Sequence, residues 1–199
     1  MQKTNRNGRT ERRDAAENRQ RILDAANQLF AQYGVEPVSM NQIAAEAGIG
    51  AGTLYRRYRN KGELCMDLIK DSKLLLFNTI EEYMKTNAAQ APALRLRGLL
   101  AIFISFKENH AQLLAGIEGA TSLSEARSMS SSPFYMELHE LLVRLFDEMA
   151  ADNEQSQPDS VFRTDMLMAA LSSKSYLFQR NVRGRSPDLI LDQLCRIYI

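Results

Sequence analysis

Apolar residues recur along most of the chain at the 3.6-residue spacing of amphipathic helices. The first such stretch ends at Gly34 and Pro37, two residues that stop helices. A second stripe predicts one rigid helix from about Asn60 to Lys85. Residues 99–106 are apolar nearly all round, which is typical of a helix in the centre of a bundle. This segment is too short to cross a membrane, which requires about 20 apolar residues.

Three more helices are predicted in the second half of the chain, beginning near Pro133, Pro158 and Pro187. The last two are apolar on two sides, so one core-facing stripe cannot account for both. A surplus apolar side commonly meets a second subunit, which predicts a four-helix bundle across the two-fold axis of a homodimer. The residues expected at that interface are Leu171, Phe178 and Leu194. The predicted fold class is all-α, with an N-terminal three-helix bundle and a C-terminal helical bundle.

The segment that begins at Ser39 carries the strongest local signals. Ser39 is a good helix N-cap, and Gln42 completes a capping box three residues later. Gly48 stands where a left-handed residue is needed to end the helix, and the chain then turns into a second short helix. Leu54 and Tyr58, four residues apart, would lie on the buried side of that helix. Two short helices joined by a tight turn form a helix-turn-helix.

The outward face of the second helix suits a polyanion, because no acidic residue lies between Glu46 and Glu63. Small residues at its N-terminal end let the backbone approach phosphates or base edges, and tyrosine and arginine side chains can reach into a major groove. A helix-turn-helix can also be a packing corner and arginines a solvated surface, but this chemistry favours double-stranded DNA. The residues predicted to contact DNA are Ser39, Asn41, Ala51, Gly52, Thr53, Tyr55, Arg56, Arg57 and Lys61.

The same residues resemble the DNA-binding domain of the tetracycline-repressor (TetR) family of bacterial regulators, over a match from about Arg19 to Leu68. The corner at residues 48–49 and the Thr-Leu-Tyr run at residues 53–55 fall in the family's order. Two positions depart from the family pattern: Arg57, where His is frequent, and Tyr58, where Phe is usual. Neither departure threatens the fold, whereas Arg57 bears on the base preference.

The resemblance implies a TetR-like fold, with an effector pocket among the central helices. Phenylalanine and methionine linings suit apolar or aromatic small molecules, although aromatic residues at helical spacing are by default core residues. The candidate pocket residues are Phe77, Phe103, Phe106, His110, Phe134, Met136 and Phe178. The implied function is a DNA-binding transcriptional regulator, a repressor released from a palindromic operator by a small-molecule effector. The alternative is a small-molecule-binding protein or enzyme that keeps the helical fold without operator function.

Charge divides the chain unevenly, although the formal net charge of its 199 residues is only +1. Residues 1–63 carry 11 Lys and Arg against 7 Asp and Glu, whereas residues 64–199 carry 14 against 17. The excess of positive charge thus lies in the N-terminal part of the chain, which also contains the helix-turn-helix. We expect a disordered basic arm at 1–18, a DNA-binding domain at 19–64, and a ligand-binding and dimerisation domain at 65–199. The arm is either a contact for phosphates or the minor groove, or a solvated tail.

The sequence has no recognisable motif for catalysis, a metal or a cofactor. It lacks a serine in a glycine elbow, a phosphate-binding glycine loop and an HExxH motif, and His110 and His139 have no Cys or carboxylate at ligand spacing. Cys65 and Cys195 lack CxxC spacing, which indicates free thiols in a reducing cytosol, with inert buried thiols favoured over redox sensing. Residues 1–20 contain no apolar block, so we expect no signal peptide or membrane anchor. The expected protein is cytoplasmic and not an enzyme.

Overall fold

The structure is a computed structural model that describes residues 7–118, 133–151 and 159–199. All regular secondary structure in these ranges is helical, which confirms the predicted fold class. A single π-helical turn, Phe178–Val182, lies among the α-helices. The α-helices are α1 (Asn7–Tyr33), α2 (Met40–Glu46), α3 (Ala51–Arg57), α4 (Lys61–Leu68), α5 (Lys70–Thr86), α6 (Pro92–Asn109), α7 (Ala111–Glu118), α8 (Pro133–Ala151), α9 (Ser160–Ala170), α10 (Ser173–Leu177) and α11 (Pro187–Tyr198).

The described side chains pack into two hydrophobic cores. The first core is built from α1, α2, α3 and α4, and it also includes Leu114 and Ile117 of α7. The second core is built from α5, α6 and α8 to α11. Phe106 packs against both cores, so α6 and α7 connect them. Because Cys65 and Ile69 are buried in the first core, the domain boundary predicted at residues 64 and 65 falls inside α4, and the packing places it at the end of that helix.

The first helix is longer than its apolar stripe. It begins at Asn7, so residues 7–18 are helical and the predicted disordered arm is wrong for them; residues 1–6 lie outside the described part of the chain. Helix α1 ends where the sequence indicates, since Gly34 follows Tyr33 with a φ of +82°. A φ in that range favours glycine, which has no Cβ to clash with the backbone.

The predicted single helix from Asn60 to Lys85 is wrong, because two helices occupy this range and meet at Ile69. This residue has φ −88° and ψ −3°, and it closes α4 while it opens α5. Its side chain is fully buried in the first core. The break between α4 and α5 thus falls at a buried residue, where the sequence contains neither glycine nor proline.

Two of the three residues that the sequence assigned to a subunit interface are buried within the protomer. Leu171 is only 5% exposed and Leu194 only 9% exposed, and both belong to the second core of the same protomer. This burial leaves the two leucines little surface to offer a second subunit, and the interface stays a prediction. Phe178, the third predicted residue, is 42% exposed. The large apolar side chains that α9 and α11 do expose are Val161, Phe162, Met166, Leu189 and Ile197.

Candidate nucleic-acid interface

The start of α2 is fixed by the predicted capping box. Ser39 adopts an extended conformation, and its Oγ accepts a hydrogen bond from the Gln42 backbone N–H at 3.3 Å. The Ser39 backbone N–H in turn donates to Gln42 Oε1 at 2.8 Å. These two bonds satisfy amide groups that have no partner inside the helix. Both Ser39 and the neighbouring Asn41 are exposed, so the N-terminal end of α2 faces outward.

The turn between α2 and α3 is stabilised by hydrogen bonds from Arg21 of α1. Gly48 has a φ of +62°, as the sequence predicts. The Arg21 guanidinium donates from Nη2 to the carbonyl oxygen of Ala47 at 2.5 Å and to that of Gly48 at 3.2 Å. A Cβ on Gly48 would lie 2.8 Å from Nη2 of Arg21. The corner thus requires glycine both for its backbone conformation and for the arginine that caps it.

Helix α3 buries one side and exposes the other, as predicted. Leu54 is fully buried, and Tyr58, the residue that ends the helix, is 5% exposed. Tyr55 is 47% exposed and Thr53 is half-buried. The remaining outward residues, all exposed, are Ala51, Gly52, Arg56 and Arg57. Small residues thus occupy the N-terminal end of this face, and an aromatic and two cationic side chains occupy the rest.

The glycine on this face is not required by packing within the protein. An ideal Cβ on Gly52 would meet no heavy atom within 4 Å, and the same holds for Gly50, which caps the helix. Glycine inside a helix is unfavourable by about 1 kcal/mol relative to alanine. A glycine in open space here leaves the surface of α3 free for close approach by another molecule.

The side chain of Arg57 rests on the body of the unit. Its Nη1 lies 3.5 Å from the carbonyl oxygen of Ala15 in α1, and its guanidinium carbon lies 5.8 Å from the ring centroid of Tyr58. Arg57 is nevertheless exposed, as is Arg56. The predicted base contact of Arg57 would require its guanidinium to leave Ala15, so it stays a prediction.

Lys61 has a different role from the predicted DNA contact. Its Nζ donates to the backbone carbonyl oxygens of Val35 and Glu36, both at 2.7 Å, and of Val38 at 2.8 Å. An ammonium group has three hydrogens to donate, and these three carbonyls accept them all. The geometry therefore makes Lys61 a link between α4 and the connection from α1 to α2, and its phosphate contact stays a prediction.

One cluster in the unit was not found from the sequence. The carboxylate of Asp67 in α4 accepts hydrogen bonds from Arg19 Nε at 2.8 Å and from Arg19 Nη2 at 2.6 Å. The Tyr58 hydroxyl donates to the same carboxylate. The hydrogen bond from Arg19 is the main reason that the pKa of Asp67 lies below its ordinary value. Arg19 and Asp67 are 48 positions apart, and no local pattern links them.

The candidate effector-pocket residues occupy different environments. Phe103 is buried in the second core, with the Lys107 Nζ 5.2 Å from its ring centroid. Phe106 is half-buried beside His110, with 4.5 Å between the ring centroids, and His110 Nδ1 lies 2.9 Å from the Phe106 carbonyl oxygen. Phe77 is half-buried, whereas Met136 and Phe178 are exposed. The side chain of Phe134 lies outside the described residues, and the pocket stays a prediction.

The two cysteines have the character of core residues. Both are free and buried, as predicted, and burial raises the pKa of the Cys65 thiol to about 11. Because the thiolate is the reactive form, Cys65 is a poor redox sensor at neutral pH.

Among the described residues no group of three or more His, Cys, Asp or Glu is placed to hold a metal ion. None of the described helices has the length and apolar character to cross a membrane.

The capped α2, the glycine corner and the exposed, acid-free face of α3 define a helix-turn-helix DNA-binding protein. The sequence profile of the family described as "Bacterial regulatory proteins, tetR family" matches residues 22–66. An HTH-type transcriptional regulator of Staphylococcus aureus strain MRSA252 is 36% identical over 193 residues, which cover 94% of this chain and 96% of that protein. Its counterpart in strain USA300 is 35% identical with the same coverage. The chain belongs to the TetR family of bacterial transcriptional regulators, which confirms the resemblance.

Solved structures of the same family share the fold. The Thermus thermophilus repressor FadR, in complex with lauroyl-CoA, aligns with a TM-score of 0.64 at 19% identity, over 90% of this chain and 92% of that one. NalD of Pseudomonas aeruginosa, the secondary repressor of a multidrug efflux pump, aligns with a TM-score of 0.62 at 22% identity, over 92% and 95%. At these identities the likeness concerns the arrangement of helices.

Proposed function

We propose that the protein is a homodimeric transcriptional repressor that binds a palindromic operator through α3 and leaves it when a small-molecule effector binds. The observation that carries the proposal is the outward face of α3, which is exposed, free of acidic residues and uncrowded at Gly52. Such a face can enter the major groove with its backbone close to the DNA. The protein would act in the cytoplasm, without a cofactor and without catalysis.

Within this proposal the exposed residues have distinct tasks. Tyr55 and Arg56 lie outward on α3, where they can reach base edges and phosphates. Ser39 and Asn41 at the start of α2, with Thr53, would bind phosphates of the flanking backbone. Arg57 would join them only after leaving the Ala15 carbonyl. Lys61 would make no contact with DNA in this arrangement, because its ammonium group donates to backbone carbonyls.

Dimerisation would use the exposed apolar side chains of α9 and α11 in place of the buried leucines. Phe162 is 56% exposed and Ile197 is 70% exposed. Apolar residues exposed together on two neighbouring helices mark an interaction surface. A two-fold dimer would place its recognition helices about 34–36 Å apart, which matches one turn of DNA and a palindromic site.

Effector binding would act on the packing between the two cores. Helix α7 packs against α4 through Gly116, whose ideal Cβ would lie 2.9 Å from Cys65 Sγ and 2.8 Å from Val35 Cγ1. A ligand in the second core that displaces α6 or α7 must therefore move α4 or open this contact. FadR binds lauroyl-CoA, and the apolar acyl chain of that ligand supports an effector with an apolar part for this chain. Effector and operator would weaken each other's binding by the same factor, typically 5–150-fold.

The decisive experiment selects DNA duplexes from a randomised library with the full-length protein and then titrates the selected duplex. We expect a palindromic sequence to be enriched and bound more tightly than a scrambled duplex. Gly52→Ala should raise the melting temperature, because alanine favours the helix by about 1 kcal/mol, yet weaken binding to the selected duplex. Unchanged binding by this variant would contradict close approach of DNA to α3.

The same experiment distinguishes a repressor from the alternative, a small-molecule-binding protein or enzyme without operator function. If no sequence is enriched, while a screen of apolar and aromatic compounds finds ligands that raise the melting temperature, the protein is a small-molecule-binding protein on a regulator's fold. Enrichment of a palindrome, followed by its release on addition of such a ligand, supports the repressor. A ligand that binds tightly and leaves operator affinity unchanged would contradict effector control.

A further inference from the structure

Three elements of the DNA-binding unit meet at the carboxylate of Asp67. Arg19 comes from the middle of α1, Tyr58 ends the recognition helix α3, and Asp67 lies in the last turn of α4. The Asp67 side chain is only 19% exposed and that of Arg19 is 32% exposed. Paired N–H donors from one guanidinium to both carboxylate oxygens form a directional, charge-assisted contact.

Tyr58 gives this cluster its connection to DNA. Its ring is buried in the first core, and its hydroxyl reaches Asp67 Oδ2 at 2.5 Å. Tyr58 directly follows the two arginines of α3. Its backbone N–H donates to the Leu54 carbonyl oxygen, so its backbone is held at the end of the helix. The C-terminal end of the recognition helix is thus tied to α4 by the phenol and to α1 through the carboxylate that the phenol shares with Arg19.

We propose that Asp67, held by Arg19 and bound to Tyr58, is a positioning residue that sets the orientation of the recognition helix and thereby the preference of the protein for its operator over other DNA. The inference rests on the proposed function. Asp67 does not itself face DNA; it acts through Tyr58, which fixes the end of α3 from which Arg56 and Tyr55 project. A recognition helix released at this end would still carry its positive charge but would present it less accurately.

Charge and geometry make opposite predictions at this position, which allows a sharp test. Asp67→Asn removes a negative charge from a unit that binds a polyanion, so electrostatics alone predicts tighter binding to every duplex. Loss of positioning predicts weaker binding to the operator, with binding to random DNA unchanged or improved. Tyr58→Phe removes only the hydroxyl and no charge, so it should lower operator affinity while leaving random DNA unaffected.

The experiment titrates the full-length protein and its variants with two duplexes, one selected from a randomised library by the unaltered protein and one of scrambled sequence. We expect Asp67→Asn and Tyr58→Phe each to lower the affinity ratio between the two duplexes by about fivefold to tenfold. The double variant should lose little more than Asp67→Asn alone, because both changes break one contact. Equal affinity ratios for all four proteins would overturn the inference.

The second core provides a matched control of the same chemistry. There Glu108 accepts from Arg180 Nε at 2.8 Å and Nη2 at 2.6 Å, and from the Tyr176 hydroxyl at 2.6 Å. Glu108→Gln and Tyr176→Phe should lower the melting temperature while preserving the affinity ratio. An equal fall of the ratio in these variants would show that general destabilisation, and not positioning, is responsible. If the unaltered protein selects no sequence at all, the proposed function fails, an outcome distinct from unaltered ratios in the variants.

Discussion

At the scale of single residues, the ammonium group of Lys61 is a structural element. It donates to three backbone carbonyls in the connection between α1 and α2, those of Val35, Glu36 and Val38, and so fixes the start of α4 against that connection. Carbonyl oxygens this close to each other repel unless a cation lies between them. A lysine here therefore stabilises the DNA-binding unit from within.

Lys61→Ala should lower the free energy of unfolding by about 1–3 kcal/mol, because it leaves partly buried carbonyls without a donor. The dependence of DNA affinity on salt should be unchanged, since no phosphate contact is lost. Denaturant unfolding and DNA titrations at several salt concentrations measure the two quantities. Lys70→Ala, at an exposed position on α5, is the control. A shallower salt dependence with full stability would restore the phosphate contact.

Glu108 is the residue whose titration should be visible in the stability of the second core. The hydrogen bonds from Arg180, and then that from Tyr176, lower the pKa of Glu108 from 4.5 to about 2. The unfolded chain therefore binds a proton between these two pH values that the folded chain does not, so stability falls as pH falls from 4.5 towards 2. The contribution is fully present above pH 4.5.

Glu108→Gln should therefore lower stability at neutral pH by about 1 kcal/mol, a value reduced for the partial exposure of both side chains. The difference from the unaltered protein should shrink as the pH falls below 4.5, because protonation of the glutamate then mimics the substitution. Melting curves of both proteins across this range provide the comparison. A difference that does not vary with pH would show that Glu108 stabilises the fold without its charge.

At the scale of helices, the sequence predicts features that depend on neighbouring residues, such as caps, but not those that depend on packing between distant residues. The capping box at Ser39 and the glycine after α1 are encoded within four residues, so the sequence is sufficient to find them. The break between α4 and α5 falls at Ile69, a buried residue, and no glycine or proline in the sequence indicates it. The Arg19 and Asp67 pair, 48 positions apart, exists only once α1 and α4 are packed together. Periodicity identifies an apolar face but does not identify its partner.

Helix α7 packs closely against α4 of the DNA-binding unit at Gly116. Gly116→Ala would place a methyl group within 3 Å of Val35 and Cys65 side-chain atoms, so α7 must shift. We expect a loss of about 1–3 kcal/mol in stability from this overpacking. We also expect weaker operator binding without any effector, because α4 and the recognition helix move with α7.

Melting curves and operator titrations test this pair of effects, with Ala115→Ser at an exposed position on the same helix as the control. Cys65→Ala in the Gly116→Ala background removes the sulfur that the new methyl group would meet. Recovery of operator binding in that double variant would identify the close packing as the cause. Unaltered operator affinity in Gly116→Ala would show that the α4 and α7 contact does not influence DNA binding.

At the scale of the whole molecule, the exposed apolar side chains of α9 and α11 indicate where a second subunit would pack. Phe162 and Ile197 are largely exposed, whereas Leu194 of α11 is buried in the second core. The direction in which each helix faces was not accessible to periodicity, because both helices are apolar on two sides. The two kinds of position should therefore respond differently to the same substitution.

Phe162→Glu and Ile197→Glu should each yield a folded monomer, because the new carboxylate can stay hydrated in the monomer but would be buried in the dimer. Leu194→Glu should instead unfold the second core, and Leu75→Glu, at an exposed leucine of α5, should leave the dimer intact. Sedimentation gives the mass and circular dichroism the folding state. The monomers should bind the selected duplex about a hundredfold more weakly, because a single half-site loses the tethered second contact. Variants that remain folded, dimeric and tight in DNA binding would place the subunit interface elsewhere on the molecule.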